Sequence, residues 1–274
     1  MLFIKRLFRF YVNASVHVAF SVAALYGLSV QRLNIIGNKS FLGFLILATI
    51  VCYNFVKYGV EAKKYWIVAK PAHRPIQWFS GVAFVGSAVL LWDLEARLWG
   101  YIILLTILSG LYAVPLLPNS RNLRSLGGLK IFLIALIWTG FTVWLPVVDG
   151  QLAVNDTIVL LCCQQFILVL TLLLPFEIRD LKYDAPELRT LPQRFGIAKT
   201  KRVGYLLVLG YLVLGSLGPY TYWLHLFADG LMAVLMFVGL YYTKEVQTRY
   251  YASFWIEGIP ILVFAVQQLL IMVS

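Results

Sequence analysis

Apolar positions in this chain come in long blocks, not in the half-polar patterns of a water-soluble domain. Nine blocks stand out, near 14–30, 41–58, 78–92, 98–117, 129–148, 157–176, 203–218, 222–240 and 253–273. A helix needs roughly 20 mostly apolar residues to cross a bilayer. Several blocks are shorter, so their helices should extend into interfacial residues. No stretch shows the roughly ten-residue in-and-out alternation of an outer-membrane barrel, and backbone groups in lipid must be satisfied within each segment. The pattern predicts an all-α integral membrane protein, with one domain over 1–274 and a single bundle of nine transmembrane helices.

Polar residues gather between the blocks. Two polar segments are long, 59–77 after the second block and 177–202 after the sixth, with four helices between them. Both therefore fall on the same face of the bundle, and chemistry should open there. The matching loops suggest two related halves, although no residue-level repeat accompanies them.

Composition agrees with the pattern. Of 274 residues 61% are hydrophobic and 13% charged, about half the charged share of a soluble domain. The formal net charge of +11 invites a nucleic-acid reading, but its placement argues otherwise. With the N-terminus inside, twenty of the 23 Lys and Arg residues fall in inner segments, leaving only Arg32, Lys39 and Arg97 outside. That split follows the positive-inside rule. It predicts an inner N-terminus, an outer C-terminus, membrane lipids as surroundings and no nucleic-acid partner, in a multi-pass protein of a bacterial inner membrane. The opening "MLFIKRLFRFYVNAS" mixes cations with bulky apolar residues and lacks a small-residue cleavage site, so it reads as an interfacial amphipathic lead-in. Cys52, Cys162 and Cys163 lie within apolar blocks without metal-ligand spacing. His17 and His225 have no ligand companions nearby and read as packed or interfacial, whereas Asp229 and Glu257, charges within spans, should face a cavity or a partner. No Ser-His-Asp set or nucleotide-binding Gly-rich loop is present, so covalent nucleophilic catalysis has no support.

The candidate chemistry lies in "LLLPFEIRDLKYDAPELRTLPQRFG", residues 172–196. Glu177, Asp180 and Asp184 are spaced three and four apart, which puts three carboxylates on one helical face at a membrane surface. Such crowding calls for compensation, either by Arg179 and Lys182 in an ordinary ion-paired helix end or by a divalent cation. Mg2+ takes oxygen ligands and is shared with substrate phosphates, and Arg179 and Lys182 could contact phosphate oxygens. Acids, cations and a membrane cavity together read as a site for a lipid diphosphate.

This stretch resembles the second aspartate-rich motif of the UbiA superfamily of intramembrane prenyltransferases. The matching residues are Glu177, Arg179-Asp180, Asp184, Thr190-Leu191-Pro192 and Gly196. "KPAHRPIQ", with Arg74-Pro75, is similar to the family's basic segment after its first motif. "LYAVPLLPNSRNLRSLGGLK", with Tyr112, Arg124 and Lys130, is similar to its Tyr-x-x-Pro segment and the basic residues beyond, and "WIEGIP" sits where many members have an Asp-Gly. The family's first motif is Asn followed by Asp four and eight residues later, and here the pattern departs. Asn54 is present, but Tyr58 and Ala62 occupy the Asp positions, Glu61 is one residue out of register, and Lys57 lies one turn before it.

The resemblance implies nine helices and Mg2+-assisted transfer of an isoprenoid chain from a prenyl diphosphate to an aromatic or other lipophilic acceptor. It implies Asp180, Asp184 and Glu177 as metal ligands, and Asp180, Asp184, Lys57 and Arg179 as catalytic residues. Asn54, Arg74, Lys182, Arg124, Lys130 and Tyr112 would bind substrate. The degenerate first motif leaves two outcomes open. Lys57, with its neighbours Lys63, Lys64 and Arg74, neutralises the diphosphate where a second metal ion would sit, or the chain binds a lipid diphosphate without ionising it, as a non-catalytic protein or as the partner of another enzyme. A transporter is compatible with nine helices but has no positive support. Prenyl length, acceptor and oligomeric state are not encoded in any motif.

Overall fold

The structure, a computed structural model, describes residues 2–58, 73–113, 128–184, 186–218 and 222–273. Among these no strand occurs, and eleven α-helices follow one another. They are α1 (Leu2–Asn13), α2 (Val16–Arg32), α3 (Lys39–Tyr58), α4 (Arg74–Trp92), α5 (Ala96–Ala113), α6 (Leu129–Thr139), α7 (Leu145–Asp149), α8 (Asp156–Asp180), α9 (Leu191–Leu217), α10 (Trp223–Tyr242) and α11 (Ile259–Val273). Two π-helical turns interrupt the set, Gly140–Trp144 between α6 and α7 and Tyr251–Ile256 just before α11. Such widened turns collect at functional sites.

The helices close into a ring. α2 packs on α3, α3 on α5, α5 on α6, α6 on α8, α8 on α9, α9 on α10, α10 on α11, and α11 returns to α2, while α4 braces α3. Leu25, Phe41, Leu98, Ile131, Leu168, Leu174 and Met232 are almost fully enclosed within it. Outward-facing Val82, Val85, Leu206, Leu209 and Phe237 remain exposed, as expected of a surface solvated by lipid tails.

Each predicted block falls on a helix, but the count of nine spans is not reproduced. Seven described helices are long and apolar enough to cross a membrane, or eight if the bent pair Phe3–Asn13 and Val16–Arg32 forms one span. The block expected over 98–117 gives only the shorter apolar helix Ala96–Leu111, and 114–127 lies outside the described residues. Hence the chain is a multi-pass, all-helical membrane protein. The polar segment 177–202 is also largely helical and not a loop. α8 runs on to Asp180, and α9 starts at Leu191, where the side chain of Gln193 accepts a hydrogen bond from the Thr190 N–H at 2.9 Å. Thr-Leu-Pro is thus a helix start, with Thr190 at the N-cap and Pro192 where a missing N–H costs nothing. Gly196 (φ 78°, ψ 163°) breaks α9 in a backbone region open essentially to glycine alone.

A second polar cluster lies inside the ring. The Arg32 Nη2 donates to Asp229 Oδ2 at 2.7 Å, and the Arg32 Nη1 donates to Gln164 Oε1 at 2.6 Å. Tyr211 donates to Asp229 Oδ1 at 2.6 Å, and Gln164 Nε2 to Asp229 Oδ2 at 3.1 Å. Asp229 thus finds the partner that an in-span charge requires. Gln164 sits 13 residues before Glu177 on α8, or about 20 Å along the axis, so this cluster and the acidic motif mark separate ends of the bundle.

Candidate functional site

The acidic motif starts on the last turn of α8 and continues past it. Asp180 is the final helical residue, and its carbonyl accepts from the N–H groups of Tyr183 and Asp184, both at 2.8 Å. Gln193 Nε2 donates to the Asp184 carbonyl at 3.1 Å, so the start of α9 buttresses the turn that carries Asp184. The Thr-Leu-Pro segment therefore positions an acid six or more residues earlier.

The three acids are not equivalent. Glu177 and Asp184 converge on Lys130 of α6, at 2.7 and 3.2 Å. Glu177 is 2% exposed, and its Oε2 is buried without a hydrogen-bond partner. Asp180 turns instead to Arg179, whose Nε donates to it at 2.7 Å and whose Nη2 donates at 3.2 Å. Lys130, expected to meet phosphate, is thus already engaged by acids. Lys182 is exposed, with its ammonium 4.7 Å from the exposed Tyr183 ring.

Facing the motif is the end of α3. Lys57 donates to Ser15 Oγ at 3.0 Å, and lies within electrostatic range of Arg179 and of Glu257, the residue after the second π turn. The remnants of the two motifs therefore lie within electrostatic range of each other, with no direct ion pair between them among the described residues. Asn54 is fully occupied: its amide donates to the Ala14 carbonyl and Ser80 Oγ, at 3.1 and 2.9 Å, and its Oδ1 accepts from Ser15 at 2.8 Å. Its contribution is to hold Ser15 and hence Lys57. Arg74 is exposed in the first turn of α4. Arg124, Glu61, Lys63, Lys64 and the side chain of Tyr112 lie outside the described residues.

Sequence reasoning gave no site role to Ser15 or Glu257. An acid within an apolar span costs at least ~2.5 kcal/mol, so Glu257 needed a cation, and Lys57 is one of two in-span lysines at the same end, with Lys130. That pairing was the available signal. Nothing local pointed to Ser15.

Below this cluster, between α2, α3, α4, α5 and α6, lies a cavity of about 450 Å³. Phe44, Tyr53, Phe55, Phe84, Trp138 and Phe141 supply its aromatic lining, with Thr106 among few polar groups. It follows α3 from Phe44 to Phe55, which is about 16 Å of helix and brings it to the level of Asn54. Its chemistry suits a long apolar chain attached to a polar head.

Among the described residues no group of three or more His, Cys, Asp or Glu side chains gathers closely enough to hold a metal by itself. Mg2+ needs less, because it binds through one or two carboxylates and completes its shell with water and phosphate. The unpartnered Glu177 Oε2, close to Asp184 through their shared lysine, fits that smaller requirement.

No protein-family model and no curated protein sequence matches the chain. Solved structures do. A UbiA homologue from Archaeoglobus fulgidus bound to GPP and Mg2+ superposes with a TM-score of 0.59 at 12% identity, over 95% of this chain and 96% of that one. A digeranylgeranylglyceryl phosphate synthase superposes with a TM-score of 0.54 at 15% identity, over 96% and 98%. Both likenesses run nearly end to end, and the chain has the fold of the UbiA prenyltransferases.

Proposed function

We propose that the chain is a UbiA-type prenyltransferase, which moves an isoprenoid chain from a prenyl diphosphate to an aromatic or other lipophilic acceptor. What carries the reading is a buried set of acids on Lys130, with Lys57 of the facing helix within electrostatic range of Arg179, at the same end as an apolar cavity that runs along α3. The basic segments support nine spans with this end of the bundle at the inner face of a bacterial membrane.

In this reading the prenyl chain lies along α3 in the aromatic cavity and its diphosphate reaches the Glu177 end. Lys57 and Arg179, with Arg74 and Lys182 at the rim, counter phosphate charge, Arg124 and Tyr112 join them as the resemblance implies, and Lys130 reaches phosphate from its place between Glu177 and Asp184. Asp180 and Asp184, helped by Glu177, hold Mg2+, which when bound neutralises the diphosphate and improves it as a leaving group. Asn54 keeps Ser15 and Lys57 in place. As the C–O bond breaks, its electron pair leaves with the diphosphate, and aromatic faces along the cavity attract the allylic cation. The acceptor's electron pair then forms the new bond, and the acceptor gives up a proton.

The test is Asp180→Asn, assayed with radiolabelled prenyl diphosphates in proteoliposomes. A well-placed charge at such a leaving group is worth ~10²–10³ in rate. Turnover equal to that of the parent protein would remove Asp180 from the mechanism.

A further inference from the structure

α1 lies outside the ring and plays no part in the site chemistry. At 100° per residue most of its bulky apolar side chains separate from its cations, Leu2 and Val12 being the exceptions. Phe3, Ile4, Leu7, Phe8, Phe10 and Tyr11 share one broad arc, Lys5, Arg6 and Arg9 fill the opposite one, and no acid occurs between residues 1 and 13. Protein covers the edges of the apolar arc and its C-terminal end, where Tyr11 packs on His17 with ring centroids 5.2 Å apart. Phe8 packs edge-on against Tyr250 and Phe254, with centroids 5.1 and 5.0 Å away, and Phe10 meets Phe79 at 5.5 Å. Between those edges Phe3, Ile4 and Leu7 are 76, 69 and 58% exposed, and all three cations are exposed too.

The direction of α1 is fixed. It makes an angle of 59° with α2, which as a span runs across the bilayer, so α1 is inclined well toward the membrane plane. The elbow between them is Ser15, fully enclosed and in the left-handed region (φ 60°, ψ 17°). The last turns of α3 hold this elbow at three points. Tyr58 donates to the Asn13 carbonyl at 3.0 Å, Asn54 to the Ala14 carbonyl at 3.1 Å, and Lys57 to Ser15 Oγ at 3.0 Å. A helix so pinned cannot turn its bare apolar strip inward.

We propose that α1 is a docking arm for anionic phospholipid, and that the Ser15 elbow couples its seating to Lys57. Phe3, Ile4 and Leu7 enter the acyl boundary, and Lys5, Arg6 and Arg9 take headgroup phosphates. The cationic arc without acids selects anionic lipid over a zwitterionic surface. Three cations near an anionic leaflet favour seating by about a hundredfold. The inference needs a membrane but not prenyl transfer, so its failure leaves the proposed activity untouched.

Hydrogen–deuterium exchange on the full chain tests it, in nanodiscs of phosphatidylcholine alone or with one-third phosphatidylglycerol. Anionic lipid is expected to slow exchange over residues 2–13 at least tenfold, and to slow residues 54–58 in parallel. Lys5→Gln, Arg6→Gln and Arg9→Gln combined should abolish the difference while leaving α8 unchanged. Equal exchange of α1 in both lipids overturns the proposal, as does protection by inorganic phosphate added to phosphatidylcholine discs. Protection of α1 without any response at 54–58 overturns the coupling.

Discussion

Asp229→Ala tests whether the buried cluster behind the site holds the ring together. The Arg32 and Asp229 side chains are 12 and 8% exposed, so the rules for buried pairs apply and those for surface pairs do not. Removing the carboxylate leaves the guanidinium enclosed, with Gln164 as its remaining close side-chain acceptor. Losing one member of such a pair costs about 3–5 kcal/mol. The hydrogen bonds from Tyr211 and Gln164 account for about 0.6 kcal/mol each, because in a membrane the unfolded helices find other partners. Arg32→Met should be destabilising for the mirror-image reason. The combination of Arg32→Met with Asp229→Leu leaves no unpaired charge, so it should cost only about 1–2 kcal/mol, less than either single change. The assay is unfolding in mixed micelles, titrated with sodium dodecyl sulfate and followed by circular dichroism. Two results would refute the reasoning: single variants within about 0.5 kcal/mol of the parent protein, or a double variant that costs the sum of the two.

Lys130→Met should destabilise by about 3–5 kcal/mol, because Glu177 would be left enclosed and unpaired; unchanged unfolding in the same micelles would exclude the pair. Gly196→Ala forces a glycine-only backbone at a cost of about 1–3 kcal/mol, and should lower prenyl transfer by shifting the α9 start that supports Asp184. Gly215→Ala would put a methyl group 2.5 Å from Asp229 Oδ2 and from Gln164 Nε2, an overpacking cost of about 1–3 kcal/mol. Gly230→Ala is its control, since a methyl group there meets nothing within 4 Å and should be neutral or stabilising by up to about 1 kcal/mol.

The architecture was legible because lipid imposes it. Apolar blocks become helices where nothing else can satisfy the backbone, and each of the nine blocks falls on a helix over most of its described residues. Helix ends were harder, because a cap such as Thr190 can extend a helix through residues as polar as Arg194 and Lys199. The acidic motif was readable as spacing, but its pairing was not. Lys130 lies 47 residues before Glu177 and 54 before Asp184, and only tertiary packing of α6 on α8 brings them together. Asn54 shows the same limit: its type and position fit a head-group contact, yet the bundle engages its whole amide at the elbow.

The π turn at Tyr251–Ile256 bears on how such chains should be compared. One surplus residue in a turn rotates everything after it by about 100°, so the electrostatic reach of Glu257 to Lys57 depends on that insertion as much as on the acid itself. Deleting a single position there would swing the carboxylate toward hydrocarbon without removing it. Two proteins of this shape can therefore keep the same letters and lose the same electrostatic coupling, which makes the phase of the final helix a heritable trait separate from residue identity.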